Sequence, residues 1–188
     1  MLRSLLLLVL CVFSFSAGAA EQGIEITVSV KAPVAEVWQA WTTAAGITSF
    51  FAPEAQVDAR PDGDFHIYID PYAEPGMKGA DDMRVLAVET EKLLSFTWNA
   101  PPSLAEARKQ RTVVILRFAP DGDATTLTLS HLGWGEGGEW PKARAYFANA
   151  WKFVLNNLQT RFETGKPIDW TAWRENLKKH HAAENAGK

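Results

Sequence analysis

Strand alternation sets one titratable group among apolar side chains. In the stretch 125–132, Leu127, Leu129 and His131 fall on one face. An imidazole there titrates near neutral pH, so it could orient a ligand's polar head or do acid–base work in a cyclase- or isomerase-type enzyme. A buried, hydrogen-bonded structural histidine is the plainer alternative. His66 has the opposite parity to Phe65 and Ile67 and is expected at the surface.

The other chemistry-bearing patterns are weaker. Gly133, Gly135 and Gly138 match a dinucleotide fingerprint between a strand and a helix. No strand follows that helix, however, and Leu158 stands where the ribose-binding carboxylate belongs. Glu136 and Glu139 would also repel a pyrophosphate, so a flexible corner is the simpler account, with Trp134 as a conceivable cavity gate. Asp70, Glu74, Asp81 and Asp82 lie in a long connection but lack calcium-loop spacing. Arg108, Lys109 and Arg111 form a small basic cluster that would meet a ligand carboxylate or simply be solvated. His180 and His181 are adjacent, which suits a shared metal poorly. Ser49, Ser95, Ser103 and Ser130 sit in no nucleophile elbow. No catalytic residue beyond His131, no metal site and no cofactor is expected.

Composition narrows the partners. The 188 residues carry a net charge of −3, against a nucleic-acid partner. Residues 1–20 read as a secretory signal peptide: basic Arg3, an apolar run from Leu5 to Phe15, then Ala17-Gly18-Ala19 for cleavage. The run is too short for a stable membrane span. Its removal takes away Cys11, the single cysteine, and with it thiolate, disulfide and thiol-metal chemistry. All 8 tryptophans remain in an exported, periplasmic or secreted chain.

The elements that position these residues follow from periodicity. A strand at 25–31 leads to a helix whose Val34, Val37, Trp38 and Trp41 share a face, ending near Gly46, with a short turn over 47–51. Strand signals follow at 56–60, 64–70, 83–90, 93–99, 112–118 and 125–132, with turns at Pro61-Asp62-Gly63 and 120–123. No helix interrupts them, so the sheet is antiparallel. A long helix opens at Pro141, carries Phe147, Trp151, Val154 and Leu158 inward, and stops at Gly165. The tail, 166–188, holds a short helix capped by Asp169 with Trp170, Trp173 and Leu177 on one side, expected to pack on the body or to dock a partner or membrane surface.

The strings Ala32–Trp41, Phe50-Phe51-Ala52-Pro53, Leu94–Trp98 and Pro120–His131, with the tryptophan-bearing last helix, together resemble the START-like (SRPBCC) superfamily, in the branch named for activators of the heat-shock-protein ATPase. The resemblance spans residues 23–165. It implies an α+β helix-grip fold, a curved antiparallel sheet of six to seven strands wrapped around the long C-terminal helix, usually with a hollow interior. It also implies a hydrophobic or amphipathic small molecule or lipid in a sheet–helix cavity. On that reading Trp41, Phe50, Phe51, Phe65, Ile67, Phe96, Trp98, Leu116, Leu129, His131, Phe147 and Trp151 line the cavity; a packed core is the alternative for each. The branch name implies a chaperone partner, against which export argues.

Overall fold

The computed structural model describes residues 23–187; the signal-peptide reading of residues 1–20 lies outside them. In chain order the elements are β1 (Ile24–Val30), α1 (Val34–Thr42), α2 (Ala44–Thr48), β2 (Glu54–Val57), β3 (Phe65–Tyr68), β4 (Gly79–Ala80), β5 (Val85–Glu89) and β6 (Leu93–Trp98). They continue with α3 (Ala105–Arg108), β7 (Thr112–Asp121), β8 (Ala124–Leu132), α4 (Trp140–Thr164) and α5 (Thr171–Ala186). Every strand pair is antiparallel, and α4 lies along the inner face of the curved sheet, as the helix-grip architecture requires.

The expected single sheet is divided. Five strands run in the order β1-β8-β7-β6-β5, and β2-β3-β4 form a second, three-stranded sheet. The two meet at the isolated Asp64–Arg84 bridge and at a Phe65 N–H to Met83 carbonyl bond of 2.9 Å. The break has local causes: the register shifts between Val85 and Ala87, and Asp62 and Asp82 take left-handed φ values of 62° and 57°. A bulge bends its strand and interrupts the ladder, which curls the sheet around the helix.

The first helix also ends earlier than its apolar periodicity suggests. Thr43 is extended, and its side chain accepts the Gly46 N–H at 2.9 Å, so it ends α1 and caps α2. Gly46 permits close packing rather than a helix stop: a Cβ there would lie 2.4 Å from the Gln39 carbonyl oxygen. The loop 70–82 contains β4, and α5 is a full 16-residue helix.

Alternation along the central strands holds. Val114, Leu116 and Phe118 are buried while Arg117 is exposed; Leu94, Phe96 and Trp98, and Leu127, Leu129 and His131, are buried likewise. On α4, Phe147, Trp151, Val154 and Leu158 face these rows. Gly165, in the left-handed region at φ 68°, ends that helix, as only a residue without Cβ does readily.

Candidate ligand-binding site

Rings pack continuously through the interior. Phe65 stacks on Phe96 at 4.0 Å, Phe96 meets Trp98 at 5.7 Å, and Trp98 meets Trp151 at 5.3 Å. Phe51 touches both tryptophans, at 5.8 and 5.7 Å, and carries the chain to Trp41. Such contacts fill space densely, and each fully buried large apolar side chain contributes roughly 1.5–3 kcal/mol.

The twelve residues expected to line a cavity therefore divide. Trp41, Phe50, Phe65, Ile67, Phe96, Leu116, Leu129 and His131 are fully buried, and none borders the cavity described next. Phe51, Trp98, Phe147 and Trp151 do border it. The open space lies at one end of the aromatic chain.

That space is a pocket of about 130 Å³ with almost wholly apolar walls. Phe51, Trp98 and Trp151 form its floor. Phe147, Ala150 and Val154 stand on one face of α4 at helical spacing and form a wall. Trp170 and Trp173 close it from the tail, with Tyr146 and Phe153 half-exposed at the rim. It adjoins a wider cleft of about 660 Å³, with which it shares Ile69, Trp98, Tyr146 and Phe147. The cleft runs between the 70–80 loop, the 99–103 segment and the end of α5, and it is edged by Asp70, Glu74, Ser103, His180, His181 and Glu184.

His131 stands behind the pocket wall. The Trp151 Nε1–H donates to His131 Nδ1 at 2.9 Å, which puts the imidazole proton on Nε2. That N–H faces Thr112 Oγ1 at 2.7 Å, and the Thr112 hydroxyl donates to the Trp98 carbonyl at 3.3 Å. Burial pushes the His131 pKa down to about 3. The ring is neutral at pH 7, both nitrogens are engaged, and its polar contacts hold two residues of the pocket floor. Trp134 lies tilted against it with ring centres 4.2 Å apart and donates to its carbonyl at 2.9 Å, so the half-buried indole at the glycine corner is held against the core.

The charged clusters have structural partners. The Asp81 carboxylate accepts the Gly76 and Gly79 amides at 3.2 and 3.1 Å. Arg108 donates to the carbonyls of Ala100, Gly76 and Gly79, and lies 3.4 Å from Asp81. Lys109 pairs with Glu106. Glu139 accepts the Glu106 and Ala107 amides at 2.9 and 3.0 Å, capping α3 from the glycine corner. Asp70 faces His181 Nε2 at 2.7 Å through one carboxylate oxygen and accepts the Tyr72 amide at 3.1 Å through the other. His66, expected outside, has a side chain only 13% exposed, because β2 and β4 flank its strand; its Nδ1 lies 3.3 Å from the Tyr68 hydroxyl. Among the described residues, no three His, Cys, Asp or Glu side chains group to hold a metal, and no helix is long and apolar enough to cross a membrane.

The tail's part in the pocket was missed by sequence reasoning. After Gly165, Ile168 donates its N–H to the Ser49 carbonyl at 2.8 Å. Trp170 Nε1–H donates to the Thr48 carbonyl at 2.7 Å, and Trp173 Nε1–H to the Ile69 carbonyl at 2.9 Å. Arg174 bonds the Pro53 carbonyl at 2.8 Å and Glu54 at 2.9 Å. The stripe Trp170, Trp173, Leu177 was the available signal, but its spacing says only that one side packs.

A curved antiparallel sheet gripping a long helix, with an apolar pocket at the helix's side, defines the START-like, helix-grip class. More narrowly, the chain belongs to the family described as Activator of Hsp90 ATPase homolog 1-like protein, whose family model matches residues 31–163. No curated protein matches the sequence. Among solved structures, DynU16 of the dynemicin biosynthetic locus is 25% identical, with a TM-score of 0.59 over 77% of this chain; the match spans only 48% of DynU16. A Mesorhizobium loti protein is 22% identical, with a TM-score of 0.63 over 76% of this chain and 98% of its own. The Aha1 dimer from Colwellia psychrerythraea is 18% identical, with a TM-score of 0.60 over 77% and 98%. The last two share the fold alone.

Proposed function

We propose that this protein is an exported, non-enzymatic carrier or sensor of a small amphipathic molecule. The apolar part of the ligand enters the pocket over Trp98 and Trp151, and its polar part stays in the adjoining cleft. The observation that carries this reading is the joining of the two spaces, one lined by rings and one edged by carboxylates, imidazoles and a hydroxyl. A few polar groups beside a concave apolar wall is the usual build of a small-molecule site. DynU16 comes from a biosynthetic locus, which agrees with a small-molecule ligand.

The family name attaches to chaperone activation, but the signal-like residues 1–20 favour a compartment without the cytosolic ATP-driven machinery. Native mass spectrometry of protein purified under gentle conditions tests the carrier reading. A reproducible adduct, or saturable uptake of added phenol, is expected; a protein that carries nothing and takes up no apolar probe contradicts it.

A further inference from the structure

The pocket's walls differ in how they are held. Its floor cannot yield cheaply. Trp98 and Trp151 are almost fully buried, touch each other and Phe51, and are tied through Thr112 and His131. Its roof is held by other means. Trp173 is 43% exposed, and α5 has no buried residue. The roof hangs on side-chain hydrogen bonds to two backbone carbonyls, those of Thr48 and Ile69, and on the polar contacts of Arg174 and His181. With few buried apolar contacts, the roof is kept in one position by these directional bonds, each indole N–H being fixed to its carbonyl at 2.7 or 2.9 Å.

The roof also lies outside the stretch that the family model matches, which ends at residue 163. The matched stretch supplies the floor and the α4 wall. Trp170 and Trp173 of the tail complete the lining of a pocket of about 130 Å³, close to the roughly 150 Å³ cavity that takes up benzene. Aromatic walls on three sides offer edge and face contacts to a ring.

We propose that Trp170 and Trp173 are the residues that set what this pocket accepts, limiting it to a single small aromatic ring or its equal in bulk, with any polar substituent directed into the cleft. The inference rests on the ligand-binding reading above. Apolar pockets discriminate one added methyl-sized group by roughly tenfold or more when the wall cannot move, so the limit is readable as a ratio of affinities.

The test is calorimetric or NMR titration of the purified protein with benzene and with mesitylene, whose three methyl groups widen the ring in its own plane. The unsubstituted protein is expected to favour benzene by about tenfold or more. Trp170→Ala and Trp173→Ala are expected to shrink that ratio by about tenfold while benzene still binds. Trp173→Leu, which keeps apolar bulk on an exposed helix, is expected to fall between and guards against an alanine variant that fails to fold. An unchanged ratio in folded Trp170→Ala and Trp173→Ala overturns the role of the roof and leaves the pocket intact as a site. Binding of neither ring by the unsubstituted protein overturns the ligand site itself, and this inference with it.

Discussion

At the residue scale, His131 shows how a sequence pattern can select the right position and leave its task open. Alternation placed it inward among leucines, and it is inward. What alternation cannot report is the partner of each nitrogen, because Thr112 and Trp151 come from another strand and another helix. The folded-state pKa lies near 3, below the ordinary 6.5. The unfolded chain therefore binds the extra proton first, and stability is full above about pH 6.5 and lost as pH falls toward 3. The effect is on the order of several kcal/mol. Urea unfolding at pH 7 and pH 4 checks it: His131→Gln is expected to lower stability at pH 7 by about 1–3 kcal/mol and to flatten the acid-side loss. Equal acid-side losses in both proteins would count against this role for the ring.

At the element scale, the 70–82 loop owes its shape to Arg108 together with its own Asp81, whose carboxylate accepts the Gly76 and Gly79 amides. One guanidinium serves three carbonyls from two segments, and hydrogen bonds to a charged group are worth roughly 1.5–3 kcal/mol. Arg108→Met should lower stability by about that amount and speed amide exchange at residues 76–82 roughly tenfold. Unchanged exchange there would show that the loop holds itself. The elements themselves were largely legible: apolar rows on the central strands and on α4 follow period 2 and period 3.6, and turn residues mark most ends. The division of the sheet was not, since it depends on a register shift opposite Phe96 that no residue type announces. The pocket was half legible. Phe51, Trp98, Phe147 and Trp151 lie in segments with clear parity, whereas Trp170 and Trp173 reach the same space only because Gly165 turns the chain back onto Thr48 and Ile69. The resemblance implies a hollow interior, yet stacked, tilted and edge-to-face rings fill most of it and leave room at one end.

At the scale of the whole molecule, the fold sets a packed interior beside a pocket that its own tail completes, in a chain whose first residues read as an export signal. If the signal is used, N-terminal sequencing of the protein recovered from outside the cytosol finds a start at Ala20 or Glu21; retention of Met1 in the cytosol contradicts export. The central claim, that a small apolar group binds between the body and the tail, is tested most directly by the indole N–H resonances of the 8 tryptophans. Titration with benzene, which adds no indole signal, is predicted to give saturable shifts at Trp98, Trp151, Trp170 and Trp173, which line the pocket, and little change at Trp38. No saturable shift at those four, or shifts confined to tryptophans away from the pocket, would contradict the account.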